Sequence, residues 1–221
     1  MNAGRYGNTA EASRSRTNEW LFAMTYRDGG TLKLQAFIAQ ADEVATARMK
    51  EAELGADVST AEQQDIAHKV AVAAIKFSDL SNVRTTNYIF DLDRFISFEG
   101  KTGPYLLYAA VRIKSLARRA EAEGVKPGPI MIELDAERAL VLALDAFNDA
   151  LRGAYDKRMP HILCDHAYTL AQAFSAFYAA APILVETDAA KKASRFSLAM
   201  ATLKQLELAL GLIGIDTPDR M

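Results

Sequence analysis

The chain has 221 residues, half of them hydrophobic, with 26 Lys and Arg against 28 Asp and Glu and a formal net charge of -2. This length supports one or two domains with a buried core. The balanced charge excludes a globally basic protein, so any nucleic-acid site must come from local clustering of cations. The single cysteine, Cys164, excludes an intrachain disulfide framework and is typical of a reducing compartment.

Residues 1–24 are mostly polar, and they contain no apolar core of the kind that a signal peptide requires. This composition predicts a flexible leader, and a replaced or mis-assigned start is an equally good explanation. Nothing in it directs secretion, so we expect a cytoplasmic protein.

The next segment predicts two helices separated by turns. The glycine pair at Gly29 and Gly30 predicts a turn, after which Thr31 caps a helix that extends to about residue 54 and stops at Gly55. Ser59, followed three residues later by a glutamate, has capping-box spacing and predicts a second helix from about residue 60 to residue 79.

Three carboxylates follow within a short stretch, at Asp91, Asp93 and Glu99. Grouped carboxylates can perform acid–base catalysis or bind a cation. Their closeness to Arg84 and Arg94 favours the alternative, in which they cap helices and form ion pairs that hold a domain junction. We therefore expect no catalytic residue and no metal here.

A third helix is predicted over residues 102–123, with a proline tolerated in its first turn. Tyr105, Tyr108, Arg112 and Arg119 follow one another at intervals of three, four and seven, which places them on one face. Two aromatic rings and two cations on one face suit single-stranded RNA, because bases stack on Tyr while Arg binds phosphate or base edges. From the residues alone, core packing of the two tyrosines is the favoured alternative.

A Gly/Pro-rich loop over residues 124–132 leads to a fourth helix, which we expect Asp135 to cap. Its apolar stripe predicts one helix continuing past Leu151. Pro160 opens a fifth helix that runs into an uncharged segment, residues 167–185. Because this segment is rich in alanine and carries polar residues, we interpret it as a buried core helix and not as a membrane span.

A sixth helix is predicted over residues 188–212, with Lys191, Lys192 and Arg195 near its start. Cations at a helix N-terminus oppose the helix dipole, so these side chains are candidates for binding an external anion such as phosphate. A solvated charged end is the more common explanation of such a pattern.

His161, Cys164 and His166 invite a zinc hypothesis, but the sequence does not support it. His161 and Cys164 share a helical face, whereas His166 does not join them and no fourth ligand is in view. We expect neither a metal nor a cofactor.

The central stretch of the chain resembles one protein family through several motifs in a fixed order. These are AIKF at 74–77, DLS at 79–81, RTTNYIFD at 84–91, SFEG at 97–100, TGPYLLY at 102–108 and the Arg-Ile pair at 112–113. Their order and spacing resemble the junction between the catalytic body and the anticodon-binding domain of arginyl-tRNA synthetases. The resemblance covers roughly residues 27–221, and residues 1–23 match nothing.

The resemblance implies an all-α helical bundle of about six main helices that binds the anticodon arm of tRNA(Arg). Residues 25–98 would be a helical remnant of the end of the catalytic domain, and residues 99–221 would form the DALR-like anticodon-binding domain. Tyr108, Arg112 and Tyr178 match positions that contact the anticodon arm in this family, and a C-terminal methionine often packs close to the anticodon. With basic support, the tRNA-binding residues that we predict are Tyr105, Tyr108, Arg112, Arg118, Arg119, Tyr178, Lys191, Lys192 and Met221.

Two positions depart from the family pattern. Residues 27–34 resemble the loop that helps stabilise the leaving phosphates of ATP, but Thr25 stands where a lysine is expected. We therefore interpret this segment as a helix-capping turn. Leu107 stands where the family commonly has glutamine, which removes one polar group.

No His-x-Gly-His signature occurs in the sequence, and no alternation of strands and helices predicts a nucleotide-binding sheet. We expect that this chain alone does not activate arginine. A separate catalytic chain could dock on it, and an exposed apolar patch around Phe77, Tyr88 and Phe90 would favour that arrangement. The alternative is a free-standing helical interaction protein that keeps the fold without specific tRNA binding.

Overall fold

The computed structural model describes residues 34–56, 58–87, 89 and 91–221. Over these residues it is helical and contains no strand, with seven helices of at least 11 residues and one short helix. The helices are α1 (Leu34–Glu51), α2 (Thr60–Leu80), α3 (Leu92–Phe95), α4 (Gly103–Ala122), α5 (Asp135–Asp145), α6 (Phe147–Lys157), α7 (His161–Ala180) and α8 (Ala189–Leu212). The predicted all-α bundle is confirmed.

Local capping explains where three of the long helices begin. The hydroxyl of Ser59 accepts a hydrogen bond from the backbone N–H of Glu62, and the hydroxyl of Thr102 accepts one from the N–H three residues later. The carboxylate of Asp188 accepts from two backbone N–H groups in the first turn of α8. These side chains satisfy donors that have no partner inside the helix, so the predicted starts are confirmed. The turn at Gly29 and Gly30, the Thr31 cap and the loop from residue 27 lie outside the described residues.

The predicted fourth helix is wrong in two respects. It is divided into α5 and α6 at Ala146, where ψ is -5° and the chain bends. The bend allows α5 to pack on both α7 and α8 while α6 packs on α7. Asp135 is also not the cap: it is the first residue of α5, and the backbone N–H groups of residues 133 and 134 donate instead to the carboxylate of Glu137, at 2.7 and 3.0 Å.

Helix α4 lies at the centre of the bundle formed by residues 41–221, where it packs against α2, α7 and α8. Its inner face is fully buried at Leu106 and Ile113. Gly103 allows the close approach to α2, because a Cβ there would lie 2.2 Å from the carbonyl oxygen of Ala73. The contacts with α2, α7 and α8 thus cover three sides of α4 and leave the fourth side uncovered.

Three phenylalanines of the apolar segments, Phe77, Phe174 and Phe177, are buried in the core. Phe174 and Phe177 are buried, as expected for a core helix, and no helix in the described part of the chain is long and apolar enough to cross a membrane. Phe77 is fully buried against the core, so it is not part of an exposed patch of the kind that would favour docking of a catalytic chain. Tyr88 and Phe90 lie outside the described residues.

Candidate nucleic-acid interface

The uncovered side of α4 carries a ring and two cations. Tyr108 is 41% exposed, and Arg112 and Arg119 are exposed one and three turns further along the helix. Spacings of four and seven residues keep the three side chains on one face. We call these three residues the α4 strip.

Arg112 is held by an aromatic ring from another helix. Its guanidinium carbon lies 4.5 Å from the centroid of the Tyr178 ring on α7. Phe174, one turn earlier on α7, stacks on Tyr178 with centroids 5.9 Å apart and an angle of 27° between the planes. Among the described residues no carboxylate pairs with Arg112, so a cation–π contact orients the charge and leaves its hydrogen-bond donors free of a counter-ion.

Tyr105 stands at the beginning of the same face but is partly buried. Its ring packs edge-on against Tyr168 of α7, with centroids 5.6 Å apart. Such a contact is worth about 0.5–1.5 kcal/mol beyond the buried area. Tyr105 therefore supports the α4–α7 contact and presents less of its ring to solvent than Tyr108 does.

The other polar side of α4 faces the end of the chain. Nη1 of Arg118 donates to the carbonyl oxygen of Asp219 at 2.9 Å, and Nζ of Lys114 lies 2.9 Å from the Asp219 carboxylate. Met221 is half-buried and packs against the core. Of the predicted residues, Met221 thus belongs to the chain end, and Arg118 lies on the helix that binds this end.

Two of the three cations near the start of α8 pair with carboxylates. Nζ of Lys191 lies 2.6 Å from the carboxylate of Glu133. Arg195 is buried, with Nε 3.0 Å from the Glu137 carboxylate and Nη1 2.7 Å from that of Glu186. Lys192 is half-buried and has no carboxylate partner among the described residues. We call Lys191, Lys192 and Arg195 the α8 start.

Hydrogen bonds near the α8 start shift the pKa of two acids, Glu137 and Glu186. Burial raises the pKa of Glu137, but hydrogen bonds from two backbone N–H groups and from Arg195 outweigh burial and hold that pKa below its usual range. The pKa of Glu186 is also lowered, chiefly by backbone N–H groups at residues 187 and 188. Glu137 and Glu186 are therefore ionised at neutral pH and neutralise Arg195.

The grouped carboxylates and the His/Cys pattern form no metal site. Asp91 caps α3 by accepting a hydrogen bond from the N–H of Arg94, and Asp93 lies 3.9 Å from Arg48. His166 packs on an aromatic ring, and burial raises the pKa of the Cys164 thiol to about 12, which keeps it protonated and a poor ligand. No group of three His, Cys, Asp or Glu side chains in the described part of the chain could hold a metal ion.

Of the predicted residues, the structure brings together Tyr108, Arg112 and Tyr178, with Arg119 further along the same helix face. Lys191 lies at the α8 start, on a different helix from the α4 strip. Sequence reasoning missed Phe174 as the ring beneath Tyr178, although their spacing of four residues on one helix could have indicated the contact. It also missed Lys114 as an internal partner of the chain end.

Comparison with protein families identifies the class to which this bundle belongs. A family model described as "DALR anticodon binding domain" matches residues 106–221, and one described as "tRNA synthetases class I (R), catalytic domain" matches residues 21–92. The first match spans more than half of the chain and includes all of the α4 strip and α7. The chain belongs to the family of DALR anticodon-binding domains.

Individual relatives narrow the resemblance to one kind of synthetase. The chain is 64% identical over 195 residues to a protein from Maricaulis maris (strain MCS10) and 58% identical to one from Hyphomonas neptunium (strain ATCC 15444), both named "Arginine--tRNA ligase". Each alignment covers 88% of this chain and 33% of the relative. The structure of Thermus thermophilus arginyl-tRNA synthetase matches with a TM-score of 0.76 and 29% identity, over 87% of this chain and 33% of that one. The resemblance to arginyl-tRNA synthetases is confirmed, and the chain spans about one third of the length of these relatives.

Proposed function

We propose that this chain binds the anticodon arm of tRNA(Arg), as the C-terminal portion of an arginyl-tRNA synthetase. The support is the match to an anticodon-binding family over residues 106–221 and the name "Arginine--tRNA ligase" of relatives up to 64% identical. The alternative, a helical interaction protein without specific tRNA binding, is not favoured by these matches.

The single observation that carries the proposed site is the stack of Arg112 on Tyr178 beside the exposed ring of Tyr108. Bases of single-stranded loops stack on aromatic rings and on guanidinium planes, and guanidinium donors bind phosphate. Arg112 already covers the Tyr178 ring, so a nucleotide meets the guanidinium first and Tyr178 acts as its support. Tyr108 offers its ring to an unstacked base.

The remaining predicted residues take secondary roles in this proposal. Arg119 extends the strip and suits a backbone phosphate of the anticodon arm, while Tyr105 supports the strip from below. Lys192 and Lys191 are weaker phosphate contacts, because Lys191 is already paired with Glu133. Arg118 contributes to tRNA binding by holding the chain end, and Met221 contributes as part of that end.

Aminoacylation is part of the proposal only where a catalytic domain is supplied, either in the same polypeptide or as a separate chain. Gripping the anticodon arm positions the tRNA and lowers the entropic cost of the reaction, while the chemistry belongs to the catalytic domain. A cytoplasmic location follows from this role and from the single, unpaired Cys164.

The test compares the affinity of the protein for a tRNA(Arg) transcript with its affinity for the same transcript carrying an altered anticodon, each titrated across salt. The parent protein should prefer the native anticodon. Arg112→Ala should weaken binding about tenfold and, where Arg112 contacts phosphate, flatten the salt slope by about one. Tyr178→Ala should weaken binding similarly, while Tyr178→Phe keeps the ring and should bind like the parent protein.

The chain offers a matched control in a second stack of arginine on tyrosine. The guanidinium carbon of Arg158 lies 4.7 Å from the ring centroid of Tyr155, which is 65% exposed, at the end of α6. Arg158→Ala removes the same charge from the same kind of contact and should leave anticodon preference unchanged. Equal, weak binding of both transcripts, unaffected by Arg112→Ala, would refute the proposed function.

A further inference from the structure

The last nine residues of the chain, 213–221, contain no helix or strand, yet they are tightly held. We call this segment the tail. Ile215 is 1% exposed, Pro218 is also buried, and the ammonium group of Lys76 on α2 donates to the carbonyl oxygen of Gly214. Without regular secondary structure, a segment depends on side-chain contacts of this kind to keep one conformation.

Lys114 is the centre of these contacts. Its side chain is only 14% exposed, and its Nζ lies 2.8 Å from the Glu207 carboxylate of α8 and 2.9 Å from the Asp219 carboxylate of the tail. Burial opposes the charge, but these hydrogen bonds outweigh it and raise the pKa of Lys114. The hydroxyl of Thr217 also donates to Glu207, at 3.1 Å. One largely buried lysine therefore connects α4, α8 and the tail.

The energetics of this arrangement indicate a positional role. The Asp219 side chain is 89% exposed, and ion pairs with exposed partners contribute about 0–1 kcal/mol to stability. Removing the pair would therefore unfold little of the bundle. It would, however, loosen the tail at residue 219, where the hydrogen bond from Arg118 to the carbonyl oxygen would be the remaining polar contact given by the described residues.

The tail is held beside the α4 strip. Arg118, which binds the carbonyl oxygen of Asp219, is followed directly by Arg119, and successive residues of a helix are separated by about 100° around its axis. The contact with Arg118 thus holds residue 219 on the side of α4 that adjoins the strip. Arg220, which is exposed, adds a cation at this edge.

We propose that Lys114 is a positioning residue that holds the tail as one edge of the RNA-binding surface of α4. It acts on tRNA through the tail and does not itself contact the nucleic acid. The inference rests on the proposed function, since it assigns a further part of the same surface. The ligand that it concerns is the backbone and loop of an anticodon arm.

The test is a double-mutant cycle on tRNA(Arg) affinity. The four proteins are the parent, Lys114→Met, a variant ending at Asp216, and the combination of the two changes. Lys114→Met and the shortened protein should each weaken binding by about fivefold, the effect of losing one ordinary contact. The combination should be no weaker than the shortened protein alone, because Lys114 has nothing left to position.

Lys114→Arg, which keeps the charge, should restore most of the affinity. Lys204→Met is the matched control, since it removes an exposed lysine of α8 that is not bound to the tail, and it should change affinity by less than about twofold. Additive losses in the double variant would mean that Lys114 contacts the RNA directly, and an unchanged affinity of Lys114→Met would mean that tail position is irrelevant. Either result overturns the inference.

Hydrogen exchange of the tail amides separates this inference from the proposed function. Lys114→Met should raise exchange over residues 216–221 and leave α4 protected. Where the parent protein shows no preference for tRNA(Arg), the proposed function fails and the RNA role of the tail fails with it. Unchanged tail exchange in Lys114→Met, with intact tRNA binding, contradicts the positioning role alone.

Discussion

The α4 strip and the α8 start both concentrate cations, but they neutralise them differently. At the α8 start, Lys191 and Arg195 pair with three carboxylates, and Arg195 is buried. On the α4 strip, Arg112 lies over an aromatic ring and pairs with no carboxylate among the described residues. A ring orients a guanidinium without cancelling its charge, whereas a carboxylate does both.

This difference separates cations that hold the fold from cations that are available to a ligand. Freeing Arg195 for a phosphate would leave Glu137 charged in a buried site, which is expensive. Arg112 can offer its donors to a phosphate while its guanidinium stays on the Tyr178 ring. Counting charges along the sequence does not reveal this distinction, because the two regions carry similar numbers of cations.

Loss of the buried ion pair between Arg195 and Glu137 should have the largest effect, and the effect is on stability. Arg195→Ala leaves the Glu137 carboxylate, 2% exposed, without its cation, and should lower the free energy of unfolding by about 3 kcal/mol. Arg112→Ala, on the exposed strip, should change it by less than about 0.5 kcal/mol. Chemical denaturation followed by circular dichroism measures both, and equal losses would remove the contrast between the two regions.

The acids of the α8 start should also give this region a pH dependence. The folded-state pKa of Glu137 lies below its usual range, so its ionisation stabilises the fold above the unfolded-state pKa, and this contribution is lost as pH falls through the folded value. Stability should therefore fall from about pH 5 downward, and Glu137→Gln should reduce that slope. Denaturation midpoints of the two proteins between neutral and acidic pH provide the test. Parallel pH profiles would show that Glu137 contributes nothing to the acid sensitivity.

The smallest effects should come from the lysines of the α8 start. Lys192→Ala should weaken tRNA binding by about twofold and Lys191→Ala by less, because Lys191 is already paired with Glu133. Filter binding at low and moderate salt resolves such differences. A loss for Lys191→Ala larger than that for Arg112→Ala would reverse our ranking of the two regions.

Local chemistry explains why much of the fold could be predicted. Ser59, Thr102 and Asp188 cap their helices through neighbours within three residues, so the starts of α2, α4 and α8 are readable from sequence. The bend at Ala146 was missed because the surrounding residues, DAERALVLALDAFNDAL, favour a helix throughout. Both α5 and α6 pack against α7, a tertiary contact that the local sequence does not show, and no glycine or proline marks the bend.

The site could be predicted only in part, for the same reason. Periodicity placed Tyr108, Arg112 and Arg119 on one face, and the family resemblance selected that face for RNA. The partner of each cation comes from a distant part of the chain: Tyr178 lies under Arg112, and Glu137 lies 58 positions from Arg195. Those contacts decide which cations remain available, and they depend on the tertiary structure.

The most direct test of the central claim uses an isolated anticodon stem–loop of tRNA(Arg) as a competitor. The stem–loop should displace full-length tRNA(Arg) from the parent protein, and a stem–loop with an altered anticodon should compete more weakly. Arg112→Ala should remove this difference, while Arg158→Ala should preserve it. Failure of the native stem–loop to compete, with full-length tRNA still bound, would show that the protein grips another part of the tRNA and would contradict the account.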